Sequence, residues 1–514
     1  MSVESRRCRF CFAGLLLAFV ACGGSDDDAP GGASGTGGAS GSGGLAGTGG
    51  VSGSGGTGTS GSAGEAGSGG QGATGGSGGS GGGTETGGTG GVAGASGATG
   101  GTGGGSNGPA PTFAPHVVDD AATGAAFATV ADLNGDGKLD IIVSLFGQMG
   151  FSVPEGELRA YIQGNSVTSW TPTPLIPTSA GYHFPNEVTV QDIDDDGDSD
   201  LFVPAGFLVC DAIPLAGPCG ALVWLENTPS GWLTHEIVPN GYELFFHHVE
   251  FVDIDNDGIR DAITVGERKP SFGASVAKVM WFKGTAGGDR FDKTPIMIGE
   301  GLGSIPSAVD LDGDGDLDLI SAEFFHADAA SFSWMENTGD PTKPFTRHVI
   351  ADDVGPSIQL SLVPNLYGDG VVRAIGSNHT NTNDNAGLPE SAVYAFDVPA
   401  PASIKTAGPW PKVKISEGIV SDKSPMFAPM GAPGIFGVGD IDGDSDLDVL
   451  LSGDGDPRVL WLRQMGPGQF DTHVLETQLK QAGGMKVVDF DGDGKNELLV
   501  TGYEANSVRV YVRL

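Results

Sequence analysis

Apolar and acidic positions alternate along this chain in one pattern that recurs seven times. In each copy a short apolar run leads into an acidic cluster, and a second apolar run, such as residues 139–143, follows directly. Short apolar runs with β-branched members and turn-forming residues at both ends are typical of β-strands. The pattern therefore predicts two strands joined by an acidic turn in every copy.

The acidic turns align the seven copies. Six keep the acids and one, PNLYGDGVVRAIG from Pro364, keeps only the frame. The six are ADLNGDGKLDIIV from Ala131, QDIDDDGDSDLFV from Gln191, VDIDNDGIRDAIT from Val252, VDLDGDGDLDLIS from Val309, GDIDGDSDLDVLL from Gly439 and VDFDGDGKNELLV from Val488. The copies start about 50 to 75 residues apart, which fits a four-stranded unit with its loops.

Two further strands complete each copy, a third with aromatic residues such as Trp224 and a fourth that often carries a histidine. The folded region opens with a fourth-type strand at residues 113–118 and ends after a third-type strand at residues 507–514. The N-terminal strand is therefore expected to complete the last unit, because ring closure removes free sheet edges. The predicted fold is all-β, a seven-bladed β-propeller of four-stranded blades; a β-solenoid would need shorter and more uniform repeats.

The acidic turns follow the pattern D-x-D/N-x-D-G-x-x-D/E, which is that of an oxygen-lined cation site. Glycine permits the sharp turn, and carboxylates without His or Cys favour Ca²⁺ over zinc or copper. About six Ca²⁺ sites are expected. The predicted ligands are Asp132, Asn134, Asp136 and Asp140; Asp192, Asp194, Asp196 and Asp200; Asp253, Asp255, Asp257 and Asp261; Asp310, Asp312, Asp314 and Asp318; Asp440, Asp442, Asp444 and Asp448; and Asp489, Asp491, Asp493 and Glu497.

An EF-hand is the rival interpretation, and it fails because residues such as Val143 stand where its twelfth-position Glu is required and strands replace its helices. The fifth turn has lost most of its acids, and we expect no metal there, with Arg373 pairing with the remaining Asp369. Ser445 replaces the turn glycine of the sixth loop, which should weaken that site.

Composition divides the chain into three segments. Residues 1–21 combine Arg6, Arg7 and Arg9 with a short apolar run, as in a signal peptide, and the following Cys22 resembles the lipid-bearing cysteine of bacterial lipoproteins. Residues 22–111 hold many of the 90 glycines and offer no apolar periodicity, which predicts a disordered linker. The propeller is assigned to residues 112–514, and the exported protein is expected at the bacterial outer membrane or cell surface.

The formal net charge of -38, with only 26 Lys and Arg, argues against nucleic acid as a partner. Cys210 and Cys219 stand close in sequence, separated by a segment with Pro and Gly, and are expected to form a disulfide in an oxidising compartment. We expect a monomer.

The acidic turns with their following apolar strands resemble the FG-GAP or VCBS repeat family, over about residues 111–514. The resemblance implies a propeller that binds calcium. It implies little about activity, because propellers of this kind include binding modules as well as lyases and dehydratases.

The nine histidines fall into two groups. Four repeat at one place in the outermost strands and are interpreted as structural: His116, His235, His348 and His473. The remaining five stand where innermost strands begin or second strands end, at the rim opposite the acidic turns: His183, His247, His248, His326 and His379. Glu267, with its neighbour Arg268, Glu323 and Asn378 occupy similar positions.

Two function classes stay open. In the first, the propeller is a surface module that binds a glycan or protein, and its third-strand aromatics are exposed between blades. In the second, it is a carbohydrate-active enzyme of lyase or dehydratase type, whose rim His and Glu are the candidate catalytic residues or hold an additional transition metal at the channel mouth.

Overall fold

A computed structural model describes residues 108–148, 153–207, 210, 217–270, 274–303, 305–324, 330–381, 387–421 and 431–514. The predicted signal peptide, Cys22, nearly all of the linker and His326 lie outside these residues. The described part forms seven four-stranded antiparallel sheets, so the predicted seven-bladed propeller is confirmed.

In six of the sheets the strand order follows the chain, so that each of these blades is an antiparallel meander from the innermost to the outermost strand. The first three blades consist of β2 (Ala125–Ala131), β3 (Asp140–Leu145), β4 (Glu157–Gln163) and β5 (Trp170–Ile176); β6 (Thr189–Gln191), β7 (Asp200–Ala205), β8 (Gly220–Thr228) and β9 (Gly231–Tyr242); and β10 (Phe245–Val252), β11 (Asp261–Arg268), β12 (Val276–Phe282) and β13 (Ile296–Glu300). The next three consist of β14 (Ser307–Val309), β15 (Asp318–Ala322), β16 (Phe332–Glu336) and β17 (Thr346–Ala351); β18 (Ser357–Val363), β19 (Arg373–Asn378), β20 (Val393–Asp397) and β21 (Lys412–Lys414); and β22 (Phe436–Gly439), β23 (Asp448–Ser452), β24 (Val459–Gly466) and β25 (Gln469–Glu476).

The seventh blade joins the two ends of the folded region. It contains β26 (Ala482–Val488), β27 (Glu497–Gly502), β28 (Ser507–Arg513) and, as its outermost strand, β1 (Phe113–Asp119). β1 pairs antiparallel with β28, and Phe113 lies opposite Arg513. The predicted closure by the N-terminal strand is thereby confirmed.

A pair of glycines lets the last blade pack closely against the first. A Cβ on Gly483 would lie 1.9 Å from the carbonyl oxygen of Ala126, so no larger residue fits there without a shift of the backbone. Thr501 of β27 donates a hydrogen bond of 2.8 Å to the same carbonyl oxygen. Close packing and a hydrogen bond between blades together hold the ring shut.

Neighbouring blades share their hydrophobic cores. One such cluster contains Trp281 of the third blade and Met335 of the fourth. The third-strand tryptophans are buried here, with Trp224 2% exposed and Trp334 0% exposed. The expectation that these aromatics are exposed between blades is therefore wrong, because they fill the space between adjacent sheets and have no surface left for a ligand.

Helical structure in the described part is limited to short turns such as Thr178–Ala180 and Pro401–Ile404. None of the helices among the described residues is long and apolar enough to cross a membrane.

Candidate functional site

The acidic loops all join the first strand of a blade to its second strand, at one face of the ring. The first acid of each loop organises the turn: Asp132 Oδ1 accepts from the Gly135 N–H at 2.8 Å, and Asp132 Oδ2 accepts from the Gly137 N–H at 2.8 Å. The same bonds recur in the seventh loop, where Asp489 accepts from Gly492 at 2.7 Å and from Gly494 at 2.8 Å. The loop shape is thus fixed by its own carboxylate and backbone.

The last acid of each loop is buried at the start of the second strand. In the fourth loop Asp318 Oδ2 accepts from the Leu311 N–H at 3.1 Å, and Asp318 Oδ1 accepts from the Asn337 N–H at 2.8 Å. These two bonds tie the loop to the strand beside it. Equivalent pairs of bonds are made by Asp140, Asp200, Asp261 and Asp448.

Burial raises the pKa of these closing acids, and the neighbouring loop carboxylates add to the effect because like charges disfavour ionisation. The pKa is raised to about 6 for Asp200 and Asp261, and to about 7 for Asp318 and Glu497. For Asp448 it is raised to about 8. A cation bound beside them would reverse the sign of this field and keep the acids ionised.

Five loops bring three acidic side chains together so that one oxygen of each lies within 4.8 Å of the others. The groups are Asp192, Asp194 and Asp200; Asp253, Asp255 and Asp261; Asp310, Asp312 and Asp318; Asp440, Asp442 and Asp448; and Asp489, Asp491 and Asp493. In four of them the first, second and last predicted ligands converge. In the seventh loop the third ligand, Asp493, takes part in place of Glu497.

The third predicted ligand of each acidic loop accepts a backbone bond within the turn through its Oδ1, as Asp493 does from the Lys495 N–H at 2.8 Å. Asp257 accepts from Ile259 at 2.9 Å, and Asp314 accepts from Asp316 at 3.1 Å. The corresponding residues elsewhere are Asp136, Asp196 and Asp444. The first loop carries the amide Asn134 as its second ligand, and its Asp136 pairs with Lys138 at 3.0 Å.

The donor set fits a hard divalent cation. Several loop oxygens are buried without a hydrogen-bond partner among the described residues, including Asp255 Oδ1, Asp442 Oδ1 and Asp444 Oδ2. Buried carboxylate oxygens without partners are costly unless a cation binds them. These residues together would supply the all-oxygen environment that Ca²⁺ prefers.

Basic side chains approach three of the loops from neighbouring structure. Lys283 contacts Asp255 and lies 2.8 Å from Asp257. Lys405 lies 2.5 Å from Asp312, and Arg463 lies 2.6 Å from Asp442. These ion pairs balance part of the carboxylate charge, so a bound cation would compete with them.

The fifth loop differs as its sequence predicts. Arg373 forms a two-bond ion pair with Asp369, at 2.9 and 2.8 Å, and its guanidinium lies 4.1 Å from the ring centre of Tyr367. The predicted pairing of Arg373 with Asp369 is confirmed. In the sixth loop Ser445 has a φ of 75°, a left-handed conformation that strains a residue with a side chain.

The four repeated histidines lie in the outermost strands, as predicted, where three of them pack on tryptophans. The ring of His235 stacks on Trp224 at 4.2 Å between centroids, and that of His348 stacks on Trp334 at 4.3 Å. His235 Nε2 also lies 2.6 Å from Glu226 Oε2. These contacts support a structural role.

The rim histidines lie on the face opposite the acidic loops, but the structure does not bring the described ones together. His247 Nδ1 bonds to Glu267 Oε2 at 2.7 Å, and both residues are buried. His183 Nδ1 contacts the carbonyl oxygen of Pro154 at 2.8 Å. His379 Nδ1 contacts the carbonyl oxygen of Pro433 at 2.9 Å.

The other predicted rim groups also have local partners. Glu323 lies 2.7 Å from Arg347 in an ion pair, and the Asn378 side chain donates to the carbonyl oxygens of Val354 and Glu390. No metal-holding group of three acids, histidines or cysteines occurs at this rim among the described residues. The described rim therefore offers two pairs of a histidine with a carboxylate, His247 with Glu267 at 2.7 Å and His379 with Asp454 at 3.5 Å.

His248 points away from His247 and belongs to a buried charged cluster. His248 Nε2 bonds to Glu250 Oε1 at 3.1 Å, and its Nδ1 lies 3.6 Å from Glu187. Lys486 of the seventh blade reaches Glu187 of the second blade at 3.3 Å. The second and seventh blades lie on either side of the first blade, so a contact between them must cross the central channel, where the cluster lies.

The charges in the channel cluster sustain one another. Burial opposes a charge on His248, but the hydrogen bond that its Nε2 donates to Glu250 and the nearby Glu187 raise its pKa. Burial likewise opposes ionisation of Glu187, whose pKa is nevertheless lowered by Lys486 and His248. We interpret these residues as a network that fastens three blades across the axis.

An apolar cavity occupies the mouth of the channel on the histidine face. It encloses about 760 Å³, its open entrance included, and residues of all seven blades line it. Aromatic rings form much of its wall: Phe127, Phe146, Phe207, Phe324 and Tyr503. His247, Asp454 and Gln481 add polar groups.

Sequence reasoning missed most of these lining residues, although a signal was present. Phe146, Phe324, Asp454 and Tyr503 each stand six residues after the closing position of their acidic loop, as do Glu267 and His379. A search restricted to His and Glu passes over the aromatic members of this ring. Alignment of every blade at that position would have found them.

Cys210 and Cys219 form a disulfide with a Cα–Cα distance of 6.0 Å. Both cysteines are buried in the same hydrophobic cluster as Phe146, Phe207 and Tyr503. The disulfide thus lies beside the wall of the mouth cavity.

Comparison with known proteins identifies one of the repeats. Residues 440–500 match the family described as FG-GAP-like repeat. This segment runs from the sixth acidic loop to the end of the seventh, and it is an FG-GAP-like repeat, as the acidic motifs predict. No curated protein matches the chain in sequence.

Two solved structures align with this chain at low similarity. A thermostable family-43 glycoside hydrolase aligns with a TM-score of 0.29 and 11% identity, over 50% of this chain and 84% of its own. A glucose dehydrogenase aligns with a TM-score of 0.33 and 11% identity, over 78% of this chain and 99% of its own. Likeness at this level indicates no shared function.

Proposed function

We propose that this chain is a calcium-stabilised binding protein, exported and anchored through a lipid on Cys22, whose propeller binds a glycan or protein ligand at the channel mouth. The linker would hold the propeller away from the bacterial outer membrane, where it acts as a monomer. No nucleic-acid partner is proposed, because the net charge is -38.

The calcium part of the proposal is supported by the six acidic loops. Their closing acids are buried beside other carboxylates, and burial raises the pKa of Asp448 to about 8. Buried loop oxygens such as Asp442 Oδ1 have no hydrogen-bond partner among the described residues. A divalent cation would satisfy both the charge and the oxygens.

The binding part is supported above all by the mouth cavity. Ligand sites in proteins are concave and mostly apolar, with a few polar groups that orient the ligand. The cavity has this composition, and its residues come from every blade. The buried third-strand tryptophans leave the mouth as the better candidate than the grooves between blades.

Calcium titration tests the first part. Chelated protein titrated with CaCl₂ in a calorimeter should take up about six ions per chain, with no uptake in the fifth loop. Elemental analysis of the purified protein should show calcium without a stoichiometric transition metal. An uptake of zero or one calcium would overturn the calcium assignment.

The enzyme alternative has one specific observation in its favour, the buried pair of His247 and Glu267 at the cavity wall. Such a pair can act in general acid–base catalysis when a substrate reaches the free ring nitrogen. A screen of polysaccharide cleavage with wild-type protein and His247→Gln tests it. Activity that is lost in His247→Gln and kept in the outer-strand variant His473→Gln would favour an enzyme over a binding module.

A further inference from the structure

We infer that the mouth cavity binds a primary ammonium ion carried on an apolar body, with Asp454 and Gln481 accepting its hydrogen bonds among the aromatic rings. This inference rests on the proposed role of the mouth as the ligand site. It narrows the ligand to one chemical class, which a small amine or a lysine side chain of a partner could supply.

The cavity wall offers aromatic faces at close spacing. The ring centroids of Phe146 lie 6.0 Å from Phe127, 5.8 Å from Phe207 and 6.2 Å from Tyr503. An ammonium ion within about 6 Å of a ring face is attracted by its quadrupole, and the attraction grows when water is excluded. The wall therefore suits an apolar group that carries a positive charge.

Two buried acceptors in the cavity have no partner. Asp454 Oδ1 and Gln481 Oε1 are both enclosed and make no hydrogen bond to the described residues. The Asp454 side chain is only 9% exposed, and Gln481 is 8% exposed. An unsatisfied acceptor in such a place costs free energy until a ligand donates to it. A primary ammonium has three N–H donors, and both acceptors line the cavity in which it would bind.

The neighbour of Asp454 does not neutralise it. His379 Nε2 lies 3.5 Å from Asp454 Oδ2, and burial lowers the pKa of His379 to about 4, so the imidazole stays neutral at physiological pH. Glu504 adds negative charge nearby. None of the described groups that contact the Asp454 carboxylate is a cation. A bound ammonium would supply the positive charge.

The same features select against other ligands. An anion would meet Asp454 and gain no basic partner from the described residues of the cavity wall, whose polar members are His247, Ser452, Asp454 and Gln481. A sugar would place many hydroxyls against phenylalanine side chains and leave them unbonded. A neutral apolar molecule would fill the space and leave both acceptors unsatisfied.

Binding should depend on pH through Asp454. Burial and the charge of Glu504 raise the pKa of Asp454 to about 7, so the acid is protonated below that pH when the cavity holds no cation. Among the other charged or titratable groups, His379 contacts Asp454, and the charge of Lys269 acts on His379. His247, paired with Glu267, lines the same cavity, and Lys480 lies 3.7 Å from Glu504. The affinity for an ammonium should fall about tenfold per pH unit below pH 7 and be constant from about pH 7 to 9.

Calorimetric titration of the calcium-loaded chain with benzylamine at pH 8 tests the inference, with benzyl alcohol as the uncharged counterpart. We expect benzylamine to bind at least about tenfold more tightly than benzyl alcohol. Asp454→Asn should weaken benzylamine at least about tenfold, and Gln481→Leu should weaken it less. Asp471→Asn, which removes an exposed acid from the outermost strand of the same blade, should leave the affinity unchanged.

A second arm distinguishes the source of the ammonium, using a short peptide with one lysine and the same peptide with norleucine. Selective binding of the lysine peptide, or of benzylamine alone, supports the inference when Asp454→Asn abolishes it. Equal binding of benzylamine and benzyl alcohol, or full affinity in Asp454→Asn, overturns it. Capture of a glycan that Asp454→Asn leaves intact would overturn the ammonium site and keep the proposed binding function.

Discussion

The two faces of the propeller are built on opposite principles. At one face the same acidic loop recurs, and six of the seven copies keep its acids. At the other face the residue at the equivalent position changes from blade to blade: Phe146, Gly206, Glu267, Phe324, His379, Asp454 and Tyr503. The acidic turn is repeated because every blade needs the same connection between its first and second strands. A ligand site instead needs different side chains around one cavity.

This contrast separates stability from recognition. Changes at the acidic face should move the melting temperature and leave ligand binding in place. Changes at the mouth should alter ligand binding and leave the melting temperature unchanged. The experiments below test that division at the acidic face, from the largest expected effect to the smallest.

Removal of calcium should have the largest effect. Excess EGTA should lower the melting temperature by at least about 10 °C, because each ion bound at a thousand times its Kd contributes about 4 kcal/mol to the free energy of unfolding. Differential scanning calorimetry with and without EGTA measures it, and added excess CaCl₂ should restore the original value. An unchanged melting temperature would contradict the role of the loops as calcium sites.

Loss of one closing acid should remove one ion. Asp318→Asn is expected to reduce the calcium count by one and the free energy of unfolding by about 2 to 4 kcal/mol. Asp369→Asn in the fifth loop is the matched control: it breaks a solvent-screened ion pair with Arg373, which should change stability little, and it should leave the calcium count unchanged. Equal effects of the two variants would erase the distinction between the fourth and fifth loops.

The pH dependence of the metal-free protein should be opposite to that of most acidic proteins. The closing acids have a folded pKa raised to about 6 for Asp200, about 7 for Asp318 and about 8 for Asp448. A raised folded pKa contributes stability that is complete below the unfolded value near 4 and is lost as pH rises toward the folded value. The melting temperature in EGTA should therefore fall between pH 5 and 8.

The calcium-loaded protein should not show this fall, since the ion keeps the closing acids charged. The gain in melting temperature on adding calcium should consequently be larger at pH 8 than at pH 5. Thermal scans at both pH values, each with EGTA and with CaCl₂, measure the four melting temperatures that this comparison needs. A calcium effect that is the same at both pH values would show that the closing acids are not part of the sites.

A change at one turn residue should have the smallest effect. Ser445→Gly removes the strain of a side chain at a φ of 75°, worth about 1 kcal/mol, and should tighten calcium binding at the sixth loop about fivefold. Gly494→Ser makes the reverse change in the seventh loop, where φ is 82°, and should weaken calcium binding at that loop by a similar factor. Titration of both variants with calcium would show whether the glycine sets the affinity.

The sequence was sufficient to predict the fold because its signals are local and repeated. The acidic turns, the apolar strands on either side and the two ends of the folded region together predict the seven blades and the closing strand. Arg373 could be paired with Asp369 in advance because the two are neighbours on one turn. Each of these inferences uses residues that are close in the chain.

The mouth could not be predicted in the same way, because its geometry depends on contacts between blades. Whether His247 faces His379 or Glu267 depends on where seven separate strands end around the axis, and a run of residues in one blade does not contain that information. The tryptophans illustrate the same limit, since aromatic side chains on a strand pack equally well inward and outward by their spacing. Burial by the adjacent blade decided the outcome.

The pairing of β1 with β28 has a consequence for biosynthesis. The strand that leaves the ribosome first is the partner of the one that leaves last, and Leu514 donates a backbone hydrogen bond to Thr112 at 2.9 Å. A partly made chain can stack its early blades, but its seventh sheet stays incomplete until β28 has been made. During that interval the edges of the unfinished sheet are open to pairing with other chains, so chaperones should protect the molecule until β1 and β28 have paired.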